Sequence, residues 1–277
     1  MTKKNIQELE SFTNKVRIDI LKMVYNAKSG HIGGSMSAAD ILAVLYNNVM
    51  NISSNWSSDP NFEKRDRFIL SKGHASPALY ATLARTGFFD TDELMTFRKL
   101  GSRLQGHPSL KSNLEGIEAS TGSLGQGLSM AVGIAMGLKL DKNNAQVYCL
   151  TGDGVMQEGS IWEALMNASQ RKLDNFILIV DKNNLQIDGS VSDIKCLDPL
   201  DKKLEAFGFK TITIDGHNYK EIEDALIQGK NSDVPFAIIA NTIKGKGVSF
   251  MENNAGWHGK APNEEDYTRA LGELENA

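Results

Sequence analysis

Cysteine is nearly missing from this chain, with two in 277 residues. Cys149 falls in an apolar run and Cys196 in a polar stretch, so neither a disulfide framework nor a cysteine-based metal spacing can be built. A basic excess is also missing. Lys and Arg number 30 against 34 Asp and Glu, for a net charge of −4. No positive stripe appears, which argues against nucleic acid as a partner. The longest nearly uncharged run, Leu124 to Leu140, is too short to cross a bilayer. Met1-Thr2-Lys3-Lys4-Asn5 leads into a mixed-charge helical pattern and not into the apolar region of a signal peptide. No repeat, low-complexity segment or linker breaks the sequence. The expectation is therefore a cytoplasmic enzyme domain, spanning 1–277 with a short C-terminal tail and large enough for a substantial core.

The most informative stretch runs from Ala145 to Gly189. Ala145–Leu150 and Asn175–Val180 are apolar without alternation, as in strands buried on both faces of a parallel sheet. Between them, Ile161, Trp162, Leu165 and Met166 recur at helical spacing within Glu158–Lys172. The unit reads strand–helix–strand, and its two strand ends carry Gly152-Asp153-Gly154 and Asp181-Lys182-Asn183-Asn184-Leu185. Neighbouring parallel strands lie about 4.8 Å apart, so Asp153 and Asn183 emerge side by side at the rim where open α/β sheets bind ligands. One carboxylate, one amide oxygen and the Leu185 carbonyl form a hard, oxygen-only set of the kind that holds Mg²⁺ together with phosphate oxygens and water. Gly152 and Gly154 allow close approach of an anion, and the following helix is expected to offer its N-terminus. The alternative at this point is a tight turn with a solvated aspartate.

The five histidines form a second pattern. His31, His74, His107 and His217 each follow a glycine, and His258 precedes one. With 25 glycines in the chain, random placement would do this roughly once in ten thousand trials. Glycine permits unusual turns and close ligand contact, and imidazole moves protons near neutral pH. The set points to imidazoles displayed on loops around a cleft, although His217 also fits a simple strand-end turn. No two histidines have zinc spacing.

Elsewhere the periodicity predicts helices over 6–26, ending in a glycine-dense loop over 28–34, from 37 or 38 to about 48, and over 77–85, 92–99 and 220–229. Strands are expected at 67–71, 210–214 and 236–241, and a short charged helix from Glu264. Asp198-Pro199 is expected to open a helix that closes near Gly208. The small residues all round Leu124–Leu140 suggest a helix buried against other backbones or at a subunit interface.

Read together, Ser29-Gly30-His31-Ile32-Gly33-Gly34, Ser71-Lys72-Gly73-His74, Gln105-Gly106-His107-Pro108, Thr121-Gly122-Ser123-Leu124-Gly125-Gln126-Gly127, Gly152–Gly159, Asn183-Asn184 and Trp257-His258-Gly259 resemble, in this order, the diphosphate-side half of transketolase. The resemblance implies a three-layer α/β/α fold with a mostly parallel central sheet, the thiamine-diphosphate-binding fold. It also implies transfer of a two-carbon ketol unit from a ketose phosphate to an aldose phosphate. Thiamine diphosphate would be the cofactor, with Mg²⁺, or Ca²⁺ or Mn²⁺ in its place. By the same resemblance Asp153, Asn183 and the Leu185 carbonyl would bind the metal, and His74, Gly154 and His258 would contact the diphosphate. Gly122 and Leu124 would pack near the thiazolium, with Ser123 and Gly152 among the cofactor contacts. His31, His107 and His258 would face the sugar, and Glu158 would link the two cofactor sites of a dimer. Lys244 is a further diphosphate candidate, the alternative being a solvated loop lysine.

Transketolases continue into a pyrimidine-binding and a C-terminal domain whose motifs are absent from this sequence. The chain is similar to the N-terminal subunit of split transketolases, which implies an α₂β₂ assembly with a separate C-terminal subunit. Other thiamine-dependent enzymes, such as an oxo-acid dehydrogenase α-subunit or a deoxyxylulose-phosphate synthase fragment, fit the His31, His107 and His258 blocks less well. A non-catalytic cofactor-binding module is the non-enzyme alternative. A nicotinamide site at Gly125-Gln126-Gly127 lacks the preceding strand and the downstream acidic residue.

Overall fold

A computed structural model describes residues 3–277. Helix α1 (Ile6–Ala27) starts with a capping box, in which the Asn5 side chain accepts from the Glu8 N–H and Glu8 accepts from the Asn5 N–H. It buries Leu9, Phe12, Val16, Ile20 and Val24 along one stripe, as the three-to-four spacing requires. Next come α2 (Gly33–Ser37), α3 (Ala39–Val44), β1 (Arg67–Leu70), α4 (Ser76–Arg85), α5 (Gln126–Leu140), β2 (Val147–Gly152), α6 (Gly159–Gln170) and β3 (Phe176–Lys182). A small hairpin follows, β4 (Leu185–Gln186) and β5 (Gly189–Ser190). The chain then runs through α7 (Val191–Lys195), α8 (Leu200–Ala206), β6 (Lys210–Asp215), α9 (Tyr219–Lys230), β7 (Phe236–Asn241) and α10 (Glu264–Glu275).

Five strands form one sheet in the order β1-β2-β3-β7-β6, every pairing parallel. Successive residues of β2 face opposite ways and are buried on both. Tyr148 and Leu150 join the layer containing α1, α3, α4 and α9, while Val147 and Cys149 join the layer containing α5, α6 and α8. The expected three-layer α/β/α architecture is the observed one. Because β2, β3 and β7 are adjacent and in register, with Gly152 opposite Asp181 and Lys182 opposite Asn241, the residues just past their ends share one rim. These are Asp153, Asn183 and Thr242.

Four local expectations are corrected. The helix expected from 37 to 48 is broken into α2, α3 and a π turn over Leu45–Val49. Gly33 and Gly34 belong to α2 and not to a loop. A Cβ on Gly33 would come within 2.9 Å of the Trp257 carbonyl, so the glycine serves close packing. The segment 92–99 gives only a 3₁₀ turn, Thr91–Thr96. Asp198 does not cap α8; its carboxylate accepts from Lys182 Nζ at 2.7 Å, and the helix starts at Leu200 without a side-chain cap. Of the two settings expected for the helix over 124–140, burial all round within this chain does not hold for α5, and the subunit-interface setting stands. Leu128, Ala131, Ala135 and Leu138 face the sheet, whereas Ser129 and Gly133 are exposed.

Candidate functional site

A cleft of about 380 Å³ opens at the carboxyl rim of the sheet, and most of the sequence-derived site residues line it. From β2 come Gly152, Asp153 and Gly154, from β3 Asn183 and Leu185, and from the loop after β7 Lys244. The loops before α2 and α4 bring His31 and His74, the irregular segment 101–123 brings His107 and Gly122, and Leu124, Glu158 and His258 complete the wall. Ser123 is exposed between Gly122 and Leu124 and does not line the cleft. His217 lies elsewhere, so four glycine-flanked histidines share the site and the fifth does not.

At the rim, Asp153 Oδ2 accepts the Asn184 N–H at 2.5 Å and Oδ1 the Gly154 N–H at 2.8 Å. Asn183 Oδ1 accepts the Leu185 N–H at 3.2 Å. Asp153 is buried, and its carboxyl is pushed up to about 6, first by burial and then by the Asp181 charge, against the pull of the two N–H donors. The oxygens of Asp153, Asn183 and Leu185 are hard donors suited to a divalent metal ion completed by phosphate and water. Among the described residues no group of three or more His, Cys, Asp or Glu side chains is arranged to hold a metal ion by itself. The helix N-terminus expected directly after Gly154 is displaced. A 3₁₀ turn, Gly154–Gln157, intervenes, and α6 begins at Gly159.

Beneath the rim lies a pair that the motif reading passed over. Lys72 and Asp181, 2% and 0% exposed, form an ion pair. Asp181 also accepts from Thr242 Oγ1 and from Ser37 Oγ, and Lys72 Nζ donates to the Gly34 carbonyl at 2.8 Å. Burial alone would raise the Asp181 carboxyl; the adjacent Lys72 ammonium and these hydrogen bonds outweigh it and hold it low. A charged last turn on a strand otherwise buried on both faces was the available signal, because such a charge must be paired.

Lys244, also 2% exposed, donates to the Leu185 carbonyl at 3.1 Å and contacts His258 Nδ1 at 3.0 Å. The solvated-loop alternative is thereby ruled out. Its ammonium sits on the oxygen assigned to the metal, which retains a second lone pair. Burial and the Lys72 charge lower the Lys244 amine to about 8, opposed by Asp181 and Asp153.

His31, His74 and His258 form a triangle with ring centroids 5.1, 5.3 and 5.4 Å apart. Burial first, then the Arg98, His107 and Lys244 charges, push His31 down to about 4. His258 falls to about 3, by burial, Lys244, His31 and Lys72. His74 and His107 move the same way. All four are therefore neutral at pH 7. With Nδ1 of His258 facing the Lys244 ammonium, its proton sits on Nε2, which is then a donor. Within the cleft lining, His31 Nδ1 and Gln186 Oε1 are buried without a partner, as expected of atoms that a ligand satisfies.

These shifts predict a stability profile. In the unfolded chain imidazoles take up protons below about pH 6.5, whereas folded His31 and His258 resist until about 4 and 3. Acid therefore favours the unfolded state through this window. Thermal unfolding of the full chain is expected to shift downward as pH falls from 6.5 to 4, and His31→Gln with His258→Gln is expected to flatten the slope. A slope identical in the double variant would contradict the assignment.

The family profile for the transketolase thiamine diphosphate binding domain matches residues 9–274. Among known proteins, an apulose-4-phosphate transketolase subunit of Phocaeicola vulgatus is 41% identical over 273 residues, covering 97% of this chain and 94% of that protein. The 6-deoxy-6-sulfo-D-fructose transketolase subunit SqwG of a Clostridium species is 42% identical over 269 residues, covering 97% and 96%. Human transketolase is 43% identical over 256 residues, covering 92% of this chain and 40% of its own length. The crystal structure of Campylobacter jejuni transketolase superimposes with a TM-score of 0.89 at 39% identity, covering 98% of this chain and 43% of that one. The chain thus spans about two fifths of the length of the undivided enzymes.

Proposed function

We infer the function from one premise: the chain belongs to the transketolase family, as its thiamine-diphosphate-binding domain. Relatives of matching length are themselves named as single subunits of transketolases. The polypeptide is accordingly the N-terminal subunit of a split transketolase, a ketol-transferring enzyme. The pyrimidine-binding and C-terminal domains come from a separate partner, in an α₂β₂ assembly. The outer face of α5 and the start of α6 suit such a partner, since a side chain on Gly133, Gly137 or Gly159 would meet nothing in this chain. No helix among the described residues is long and apolar enough to cross a membrane, which accords with the proposed cytoplasmic location.

The cofactor fits the residues present. Thiamine diphosphate, when bound, supplies the carbanion chemistry that accepts and releases a two-carbon unit. The chain's part is to grip and to move protons. Asp153, Asn183 and the Leu185 carbonyl hold the divalent ion, Mg²⁺ by default, with Ca²⁺ or Mn²⁺ able to replace it. Lys244, His74, His258 and the Gly152-Asp153-Gly154 backbone face the diphosphate, and Gly122 and Leu124 form the apolar wall toward the ring. Neutral His31 and His107, with the His258 Nε2–H, hold the sugar hydroxyls and pass protons at them. Glu158, exposed at the foot of α6, extends toward the neighbouring subunit.

The observation that carries this reading is the convergence of the Asp153–Asn183 rim, the Lys244 ammonium and four neutral imidazoles on one cleft. Ordinary pentose phosphates are the default substrates, with the sugar-discriminating phosphate contacts supplied by the partner. Purified chain assayed with Mg²⁺, thiamine diphosphate and pentose phosphates is expected to show no turnover alone and full turnover with the C-terminal subunit. Full activity without it would overturn the split-site reading. Failure of every candidate partner would revive the non-catalytic module.

A further inference from the structure

The fifth glycine-flanked histidine, His217, lies outside the cleft, and both of its ring nitrogens are engaged. Nδ1 lies 2.7 Å from Asp40 Oδ2, and Nε2 accepts the backbone N–H of Ile243 at 2.8 Å. Asp40, 3% exposed, also receives Arg17 Nη2 at 2.5 Å and the Tyr219 hydroxyl at 2.8 Å. A carboxylate on Nδ1 and an N–H on Nε2 fix the ring as the Nδ1–H tautomer. With no nitrogen free, this ring serves no substrate. Its effect is to pin the backbone amide at Ile243.

That amide sits between two residues that serve the cleft. Thr242 Oγ1 donates to Asp181, while Lys244 Nζ reaches the Leu185 carbonyl at 3.1 Å and His258 Nδ1 at 3.0 Å. Flanking backbone bonds, Thr242 N–H to the Lys182 carbonyl at 3.1 Å and Gly245 N–H to the Gly33 carbonyl at 3.0 Å, tie the loop on either side. Between them the His217 bond is the one that meets the amide directly before Lys244. Lysine has a long, flexible stem, and the direction of its ammonium depends on how firmly its backbone is held. Asp40 on α3 and Arg17 on α1 extend this hold into the helical layer.

We propose that His217 is a positioning residue: the Asp40–His217 pair pins the Ile243 amide and so aims the Lys244 ammonium at the diphosphate position. The inference rests on the reading of Lys244 as a diphosphate contact, and the experiment separates the two.

Inorganic pyrophosphate with Mg²⁺ is titrated calorimetrically into the full chain and into three variants: His217→Asn, Lys244→Met and the double variant. Asparagine places an amide nitrogen near the Nδ1 position, keeping Asp40 satisfied, but ends short of Ile243. Each single variant is expected to weaken binding about tenfold, and the double variant no further than Lys244→Met alone, because residues acting through one contact are not additive. His217→Gln, whose amide reaches the Nε2 position, is expected to restore the affinity. Faster amide exchange at Ile243 in His217→Asn, with global unfolding unchanged, is expected alongside. Losses that multiply in the double variant, or equal losses in the Gln and Asn variants, overturn the inference while leaving Lys244 in place. An unchanged affinity in Lys244→Met removes Lys244 from the diphosphate site, and the inference with it.

Discussion

Asp153→Ala, in the enzyme reconstituted with its partner subunit, is expected to abolish magnesium-dependent binding of thiamine diphosphate, with an affinity loss of at least ~100-fold. Changes in the shell that merely supports a metal ligand already cost 10- to 100-fold, and Asp153 is the carboxylate proposed to hold the ion. Its two oxygens are held by the Asn184 and Gly154 N–H groups, so the side chain is oriented before any ion arrives. The raised carboxyl, at about 6, adds a pH signature. Below that value the metal must displace a proton, so cofactor affinity is expected to fall about tenfold per pH unit; above it, affinity should be flat. Asp153→Asn keeps an oxygen without the charge and should lose both the affinity and the pH step. Calorimetry across pH 5 to 8 measures both, and an unchanged affinity in Asp153→Ala would remove the residue as a ligand.

Lys72→Met is expected to produce the largest loss of stability from one substitution, about 3 to 5 kcal/mol, because it leaves the fully buried Asp181 charge without its cation. The Thr242 and Ser37 hydroxyls that also reach Asp181 can orient the carboxylate but not neutralise it. The loss comes from the orphaned charge and not from the worth of the pair, since a buried ion pair taken as a whole adds little net stability. The double variant Lys72→Met with Asp181→Asn is therefore expected to recover most of the loss in urea denaturation. Equal instability in the single and double variants would show that the damage comes from packing. The pair also matters for function, because it joins the β3 end, α2 and the loop after β7 directly beneath the rim.

The legible parts of the sequence are those governed by local rules. Unbroken apolar runs marked β2 and β3 as strands buried on both faces, and their parallel pairing placed Asp153 and Asn183 together at one rim. Glycine beside histidine marked four cleft imidazoles, and close packing requires the missing side chain there: a Cβ on Gly73, directly before His74, would come within 2.8 Å of the Gly122 backbone nitrogen. The same signal failed at His217, whose environment is set by Asp40, 177 positions away in the chain, and by Arg17, farther still. Asp181 and Lys72 escaped for a similar reason. Each lies inside a readable motif, but their pairing depends on β1 and β3 flanking β2, which no local spacing encodes. Gly33 and Gly34 misled in the opposite direction, since they are helical residues packed closely on Trp257, Lys244 and Lys72. The β4–β5 hairpin, which carries Leu185 and the exposed Ile187 into the cleft, is too short for any period to show.

Crystals of the reconstituted enzyme grown with thiamine diphosphate and Mn²⁺ in place of Mg²⁺, recorded at the manganese absorption edge, locate the metal by its anomalous signal. A single peak per active site, bonded to a side-chain oxygen of Asp153, to Asn183 Oδ1 and to the Leu185 carbonyl, is the predicted result. A peak bound elsewhere, or a diphosphate seated in the cleft with no metal at that rim, would contradict it.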